Sequence, residues 1–408
     1  MTTSLAEPRI VPELRAAIYH FAVFGSTGVA SVYFAIWLSN RGISPDEIGI
    51  INAVPVLGLL LVNLVVGRLA DRAKDWRQMI IALSLLAATI PIGLLFVSGF
   101  WGILLIWSLS VIPAFSIVPL VDAATMRLTQ RRGSDFGFVR AWGTVGFMIA
   151  TGAAGPLIAW LGDAAFAPLF IALALLRGLL SLQLPQFRAP DHVRKAVTPG
   201  KLKAVLKPWF MLTLLGMGVL YSTHSAFGAF SALLWRDQGI PGEIIGPLVA
   251  TMAAAEALMM FLWKRLKLKI PARNLIILAC LIAAFRWTAM AFSPPVWVLF
   301  LLQTLHAFTY AMGYLGGMYF IANWTSEDIA AEAQGFSYFV QQGISVLALV
   351  AMGWVVTALG AWAWLALGIY TLLGAGLVLL SIRLRPPTAH PVPVAAVEDI
   401  PRTGDATP

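Results

Sequence analysis

Asp122, Arg140, Arg177, Glu256 and Arg286, together with His20, His224 and His306, stand inside long apolar stretches that carry almost no other charge. Carboxylates and imidazoles take up and release protons, and a guanidinium can grip a carboxylate through paired hydrogen bonds. A charge at the centre of a bilayer costs roughly 2.5–3.5 kcal/mol on insertion scales. A chain that keeps several must pair them, hydrate them or use them. The chemistry open to them is proton exchange and recognition of a polar or charged solute, on a polar path through an apolar protein.

The elements that must position these residues follow from composition. Of 408 residues, 59% are hydrophobic and 12% charged, against about 25% charged in soluble domains. The expected class is an all-α membrane protein. About twelve segments reach the roughly 20 apolar residues that a helix needs to cross the hydrocarbon core. They fall at 15–39, 48–67, 78–98, 101–127, 137–160, 164–184, 209–235, 243–263, 273–293, 296–323, 335–359 and 362–383. Helices are required because backbone groups in lipid must be satisfied within the segment, and these lengths exceed those of barrel strands. The first run, Ala16 to Leu38, is too long for a signal-peptide core and reads as a retained helix. Cys280 is the single cysteine, so no intramolecular disulfide forms.

Loop charges orient the chain. Arg68, Arg72, Lys74 and Arg77, then Arg127, Arg131 and Arg132, fall on one side, as do Lys264, Arg265, Lys267 and Lys269. The other side has little beyond Arg41 and Arg236. Positive-inside bias therefore puts both termini in the cytoplasm, consistent with a bacterial inner (plasma) membrane protein. The net charge of +9 serves this orientation, and nucleic acid is not an expected partner. A basic, polar connector at 185–208 separates a six-helix bundle at 1–184 from a second at 209–384, followed by a Pro- and Ala-rich tail at 385–408 expected to be disordered. Six plus six joined by a linker is the layout of a duplicated transporter.

Gly67-Arg-Leu-Ala-Asp71-Arg72 follows the second span. It resembles the G-x-L-a-D-r loop of the major facilitator superfamily, whose two six-helix bundles rock around a central site; an ordinary basic turn is the plainer reading. Asp122 and Arg140 lie within Val121-Asp122-Ala-Ala-Thr-Met-Arg-Leu-Thr-Gln-Arg131-Arg132 and Phe136-Gly137-Phe-Val-Arg140-Ala-Trp142-Gly143-Thr-Val-Gly146-Phe147. These segments look like the fourth-to-fifth helix region of the lactose permease branch and its phenylpropionate permease relatives. Glu256, Arg286 and His306 resemble the glutamate, arginine and histidine of that branch's coupling centre. The resemblance implies a proton-coupled symporter, with Asp122, Arg140, Phe147, Glu256, Arg286 and His306 contacting the solute. Glu256, His306 and Asp122 would carry the proton, and Gly67, Asp71 and Arg72 would form the conformational loop. A structural Asp122–Arg140 salt bridge and a satisfied core histidine at 306 stay open beside these roles.

The physical basis for coupling does not need the family. A carboxyl buried among helices holds its proton more tightly, and an arginine brought near weakens that hold. Rocking that moves the arginine would change proton affinity.

The departures from the permease pattern matter. Thr309 stands three residues after His306, where the pattern has a carboxylate, and Gln303 stands three before it, in place of a lysine. Phe147 replaces a tryptophan seven residues after Arg140, and Met259 replaces an asparagine three residues after Glu256. Phe147 and Met259 make a less polar pocket. An aromatic carboxylate such as 3-phenylpropionate is the first expectation, with Arg140 or Arg286 on the carboxylate and Phe147 with Met259 on the ring. A lactose-like sugar, a nucleoside, or export of a drug or metabolite are the alternatives. Polar faces at His20, Phe24, Thr27 and Ser31, at Tyr221, His224, Ser225 and Gly228, and at Tyr310, Tyr314 and Gly317 are expected mainly to pack helices, with pore lining the other reading. Tyr338, Gln341, Gln342 and Ser345 read the same way. Arg177 is expected in a structural ion pair or snorkelling to an interface.

No G-x-x-x-x-G-K-[ST] phosphate loop occurs, so ATP-driven transport within the chain is not expected. No H-E-x-x-H or Cys/His cluster suggests a metal. The chain is expected to be no enzyme and to need no cofactor beyond a proton gradient. Its partners would be a small solute, the proton and the bilayer, and it would act as a monomer. A membrane-embedded lipid enzyme is the competing class, but it would need its charges at an interface.

Overall fold

The structure is a computed structural model that describes residues 11–134, 136–187, 206–266, 270–325 and 327–385. Every regular element among them is helical. The first half comprises α1 (Pro12–Ser39), α2 (Pro45–Arg72), α3 (Trp76–Thr89), α4 (Phe100–Arg132), α5 (Phe136–Leu161) and α6 (Phe166–Ser181). The second comprises α7 (Pro208–Asp237), α8 (Gly242–Leu266), α9 (Ala272–Ala291), α10 (Val296–Thr304), α11 (Met312–Trp324), α12 (Glu327–Leu359) and α13 (Ala363–Leu384).

Local sequence sets the ends. At α2, Pro45 occupies the first turn, and the Ser44 backbone N–H donates to the Glu47 carboxylate at 3.0 Å. The Asp75 side chain caps α3 by accepting from the Arg77 N–H at 2.8 Å. Gly133 closes α4 in the left-handed conformation that glycine tolerates. Prolines stand inside α2, α4, α5 and α8, as membrane helices tolerate.

Among the described residues, eleven stretches are long and apolar enough to cross a membrane, against the twelve expected. The difference lies in the last, Ala333–Leu384, whose 52 residues contain both α12 and α13. At 1.5 Å per residue that is more than twice a bilayer core of about 30 Å. The chain breaks between the two helices at Gly360–Trp362, where Gly360 has φ +54°. The expected tenth span is also interrupted. It is α10 and α11 joined through His306 and a π-helical turn at Ala307–Ala311.

Two helical bundles result. In the first, α1 packs on α5 and α6, α2 on α4, and α3 on α4 and α6; in the second, α7 packs on α12 and α13, α9 on α11 and α13, and α8 on α10. Each has an aromatic core. Phe34 stacks on Trp107 beside Phe166, and Trp287 stacks on Trp364 beside Phe227.

The bundles meet along α2–α12, α5–α8 and α1–α7, and the contacts gather at the end away from the start of α1 and the end of α13. A Cβ on Gly49 would stand 2.6 Å from the Leu349 carbonyl oxygen, and one on Gly353 2.7 Å from that of Pro45. The Arg236 guanidinium donates to Asn40 Oδ1 at 2.7 Å and to Ser39 Oγ at 2.9 Å. At the other end, the polar contacts of the described residues stay within one bundle, as in Glu13–Arg132 and Arg273–Ser381. The molecule is thus closed at one end. Phe96, Trp101 and Trp160, each about four-fifths exposed, ring that closed end as interfacial aromatics do.

The backbone of Gly67 to Arg72 forms the last turns of α2, not a loop; the side chains of Gly67, Asp71 and Arg72 lie outside the described residues. So do most of the 185–208 connector and the 386–408 part of the tail.

Candidate functional site

In the first bundle the charges converge as the sequence suggested. Asp122, in the last third of α4, receives Arg140 of α5, whose Nε lies 3.1 Å from Asp122 Oδ1. His20 of α1 approaches the same oxygen with Nδ1 at 3.8 Å and lies 3.2 Å from Thr125 Oγ1 through Nε2. The Arg140 guanidinium stands over the Phe24 ring, 4.1 Å from its centroid. Gly143 makes room for this stack: a Cβ there would lie 3.0 Å from Arg140 NH1. Asp122 and Arg140 keep about a third of their side-chain surface exposed, so the pair faces space between the bundles rather than a sealed core.

In the second bundle the interrupted tenth span sets the geometry. His306 Nε2 lies 3.3 Å from Glu256 Oε2 on α8. His306 Nδ1 lies 3.3 Å from Arg286 NH1 on α9. A guanidinium has donors only, so Nδ1 must accept, and Nε2 carries the proton that reaches Glu256. Arg286 is completely buried. It donates to Gln303 Oε1 at 2.5 Å and to Thr309 Oγ1 at 3.4 Å, and lies over the rings of Trp287 and Phe227. His224 Nδ1 lies 2.9 Å from the Leu220 carbonyl and must donate to it. Its Nε2 therefore accepts from Thr309, 3.0 Å away. Hydrogen bonds thus run Arg286 to Thr309 to His224 to the α7 backbone. His306 also stacks on Tyr310, at 5.0 Å and 8°.

The two half-sites interact electrostatically. Arg140 is within electrostatic reach of Glu256, and Tyr314 lies within reach of Asp122, Arg140 and Glu256 together.

Several expectations need correction. Arg286 has no carboxylate partner among the described residues; Glu256 reaches it only through His306. Thr309 and Gln303, read as departures from the permease pattern, are the groups that hold Arg286. Phe147 is half-buried, with its ring against Gly28 of α1, and Met259 is buried; neither lines a cavity described below. The ring beside Arg140 is Phe24. Arg177 neither snorkels nor forms an ion pair with a described carboxylate. It is 2% exposed and donates to Ser26 Oγ at 3.1 Å and the Ala87 carbonyl at 2.7 Å.

Sequence reasoning ranked the polar faces too low. A cavity of about 200 Å³ lies between the bundles, lined by Thr27 and Ser31 of α1 and by Ser225 and Gly228 of α7. A second, of about 50 Å³, is lined by Tyr221, His224, Tyr310, Tyr314 and Gln341. These residues line space instead of only packing helices. The signal that could have found them was the placement of small and hydroxyl side chains on α1 and α7, the two helices that face each other across the interface. No signal announced the π-helical turn, a feature that often marks functional positions. Among the described residues no three His, Cys, Asp or Glu side chains converge as a metal site.

Comparison with known proteins agrees with this architecture. Residues 14–363 match the family described as "MFS_1 like family". The chain is 26% identical over 353 residues to a probable 3-phenylpropionic acid transporter of Escherichia coli, covering 84% of this chain and 91% of that one. It is 28% identical over 291 residues to a maltose permease of Geobacillus stearothermophilus, covering 70% and 72%. Among solved structures, the nucleoside transporter NupG superposes with a TM-score of 0.80 over 91% of this chain and 99% of that one; at 16% identity this is a likeness of fold alone.

Proposed function

The chain belongs to the MFS_1 like family of the major facilitator superfamily, a multi-pass membrane transporter of a small solute, and from that premise we propose that it is a proton-coupled symporter of an aromatic carboxylate. The observation that carries the reading is the pair of half-sites. Asp122–Arg140 on the first bundle and Glu256–His306 on the second supply two carboxylates, one guanidinium and one imidazole, and the Arg140 charge acts on Glu256 across the bundles. Glu256 is the coupling residue. It is hydrogen-bonded by His306 on its own bundle and lies in the field of Arg140 on the other. Rocking changes the Arg140–Glu256 separation, and with it the affinity of Glu256 for a proton. The proton held on Glu256 and the bound solute then cross together, by alternating access of bundles 1–184 and 209–384. The protein works as a monomer in a bacterial inner membrane, with both termini in the cytoplasm.

The substrate class is supported by the relative named as a 3-phenylpropionic acid transporter and by the aromatic lining of the space between the bundles. The maltose permease and the nucleoside transporter among the comparisons favour an uncharged, hydroxyl-rich solute as the second reading. The related proteins are transporters, which sets the lipid-enzyme reading aside. Uptake of 3-phenylpropionate, maltose and uridine into proteoliposomes, with and without an inward proton gradient, tests the proposal. Gradient-stimulated uptake of the acid alone is the expected result. Uptake of the acid that ignores the gradient removes proton coupling, and uptake of maltose or uridine instead removes the substrate class.

A further inference from the structure

Three arginines lie inside the apolar spans, Arg140 in the second turn of α5 and Arg177 and Arg286 deeper in α6 and α9, and the structure treats them differently. Arg140 is neutralised by Asp122. Arg286 is enclosed, capped by Gln303 and Thr309 and lying against the adjacent rings of Phe227 and Trp287. Arg177 has neither arrangement. It is 98% buried, no described carboxylate pairs with it, and the Tyr19 hydroxyl lies in its electrostatic reach. Two of its five N–H donors are used, on Ser26 and Ala87. Its Nε is buried without a hydrogen-bond partner, as is that of Arg286, but Arg177 alone of the three lines a cavity described above. An unpaired cation buried this deeply is costly to keep, and an unused donor adds to the cost.

Arg177 also lines the larger cavity. That cavity, about 200 Å³, exceeds the roughly 150 Å³ of an engineered apolar cavity that takes up benzene. Its aromatic wall is Phe34, Trp107 and Phe170, with Phe170 seven residues, about 10 Å of helix rise, from Arg177 on α6, and Ser225 and Gly228 of the second bundle share the lining. On α1 the cavity reaches Thr27 and Ser31. Thr27 is seven residues, or about 10 Å of helix rise, beyond His20 toward the closed end, so the cavity is a place separate from the Asp122–Arg140 pair.

We propose that this cavity is the seat of the transported molecule's anionic head, with Arg177 as the carboxylate subsite. The carboxylate accepts from terminal guanidinium N–H groups that Ser26 and Ala87 leave unused. The ring of the solute lies against Phe34, Trp107 and Phe170. The solute supplies the counter-charge that the protein withholds, so an acid is favoured over its uncharged analogue. Ser225 and Gly228 give the second bundle contact with the same solute, as alternating access requires. This inference rests on the aromatic-carboxylate reading above and moves the carboxylate from Arg140 or Arg286 to Arg177.

The test is calorimetric titration of purified protein with 3-phenylpropionate and with the neutral 3-phenylpropionamide. Wild type is expected to bind the acid about tenfold or more tightly than the amide, the range of a charge-assisted hydrogen bond. Arg177→Gln is expected to erase that preference while amide affinity stays within about twofold of wild type, and Arg177→Lys to restore part of it. A role confined to tying α1, α3 and α6 together would lower both affinities or the melting temperature without changing the ratio, and an unchanged ratio overturns the subsite. If Arg177→Gln does not fold, Ala114→Phe fills the cavity without touching the guanidinium. It is expected to abolish binding of both ligands, and unaltered binding overturns the proposal. Proton-driven uptake of the acid by Arg177→Gln at the wild-type KM would overturn the subsite and leave the transport reading standing. A wild-type protein that transports maltose or uridine and binds no acid would overturn the substrate class itself.

Discussion

The His306 imidazole joins Glu256 to Arg286: its Nε2 lies 3.3 Å from the Glu256 carboxylate and its Nδ1 3.3 Å from the Arg286 guanidinium. Because Arg286 can only donate, it fixes which imidazole nitrogen carries the proton. The buried arginine therefore orients a donor onto the carboxylate from the far side of the ring. Glu256 keeps a third of its side chain exposed, so a proton can reach it.

Glu256→Gln retains an oxygen that can accept from His306 but cannot exchange a proton. Counterflow of substrate is expected to persist within about twofold, while uptake driven by a proton gradient falls by about tenfold or more, as for loss of a group essential to coupling. Transport assays in proteoliposomes separate the two. Gradient-driven uptake at the wild-type rate removes Glu256 from the mechanism.

Arg286 is a fully buried cation held by a neutral amide, so Gln303 is the lever on its stability. Gln303→Leu leaves the guanidinium short of an acceptor and is expected to destabilise the protein by about 2–3 kcal/mol, seen as a lower melting temperature in detergent. Gln303→Glu supplies the missing negative charge in nearly the same shape and should melt at or above the wild-type temperature. A Gln303→Glu protein that melts well below wild type would mean that the Arg286 site does not accept a counter-charge.

The Asp122–Arg140 pair is partly hydrated, and its coupling should be modest. Asp122→Asn leaves Arg140 with its Phe24 stack alone, and the expected loss is about 1 kcal/mol after allowance for solvent screening. Removing both charges with Arg140→Gln in the same chain should recover part of that loss. A double variant no more stable than Asp122→Asn, judged by thermal unfolding, would show that the two charges do not stabilise one another.

Closure of the far end depends on backbone approach at Gly49 and Gly353. A Cβ at Gly49 meets the Leu349 carbonyl oxygen at 2.6 Å, and that atom belongs to a helix backbone that cannot swing aside. Gly49→Ala is expected to wedge α2 from α12 and favour conformations open at this end. Cysteines placed at Asn40 and Arg236, whose side chains now bridge the bundles, should be joined by a short bismaleimide about threefold or more slowly in the Gly49→Ala background, the response to a population shift of that size. Equal rates would show that this contact does not hold the end closed.

The sequence by itself determined the membrane class, the helix positions and most of the charged residues that matter. Long apolar runs have few ways to satisfy their backbone in lipid, and a charge inside such a run is visible without knowing what it touches. Asp122 beside Arg140 and Glu256 beside His306 were legible for that reason. Tertiary structure alone decided the partners, because contacts between helices far apart in the chain leave no periodic mark on either one. It set Gln303 and Thr309 on Arg286, placed Phe24 instead of Phe147 beside Arg140, and turned Thr27 and Ser225 toward one cavity. It also left Arg177 on the wall of that cavity with no described carboxylate beside it, since whether a buried charge is neutralised depends on which helices close around it.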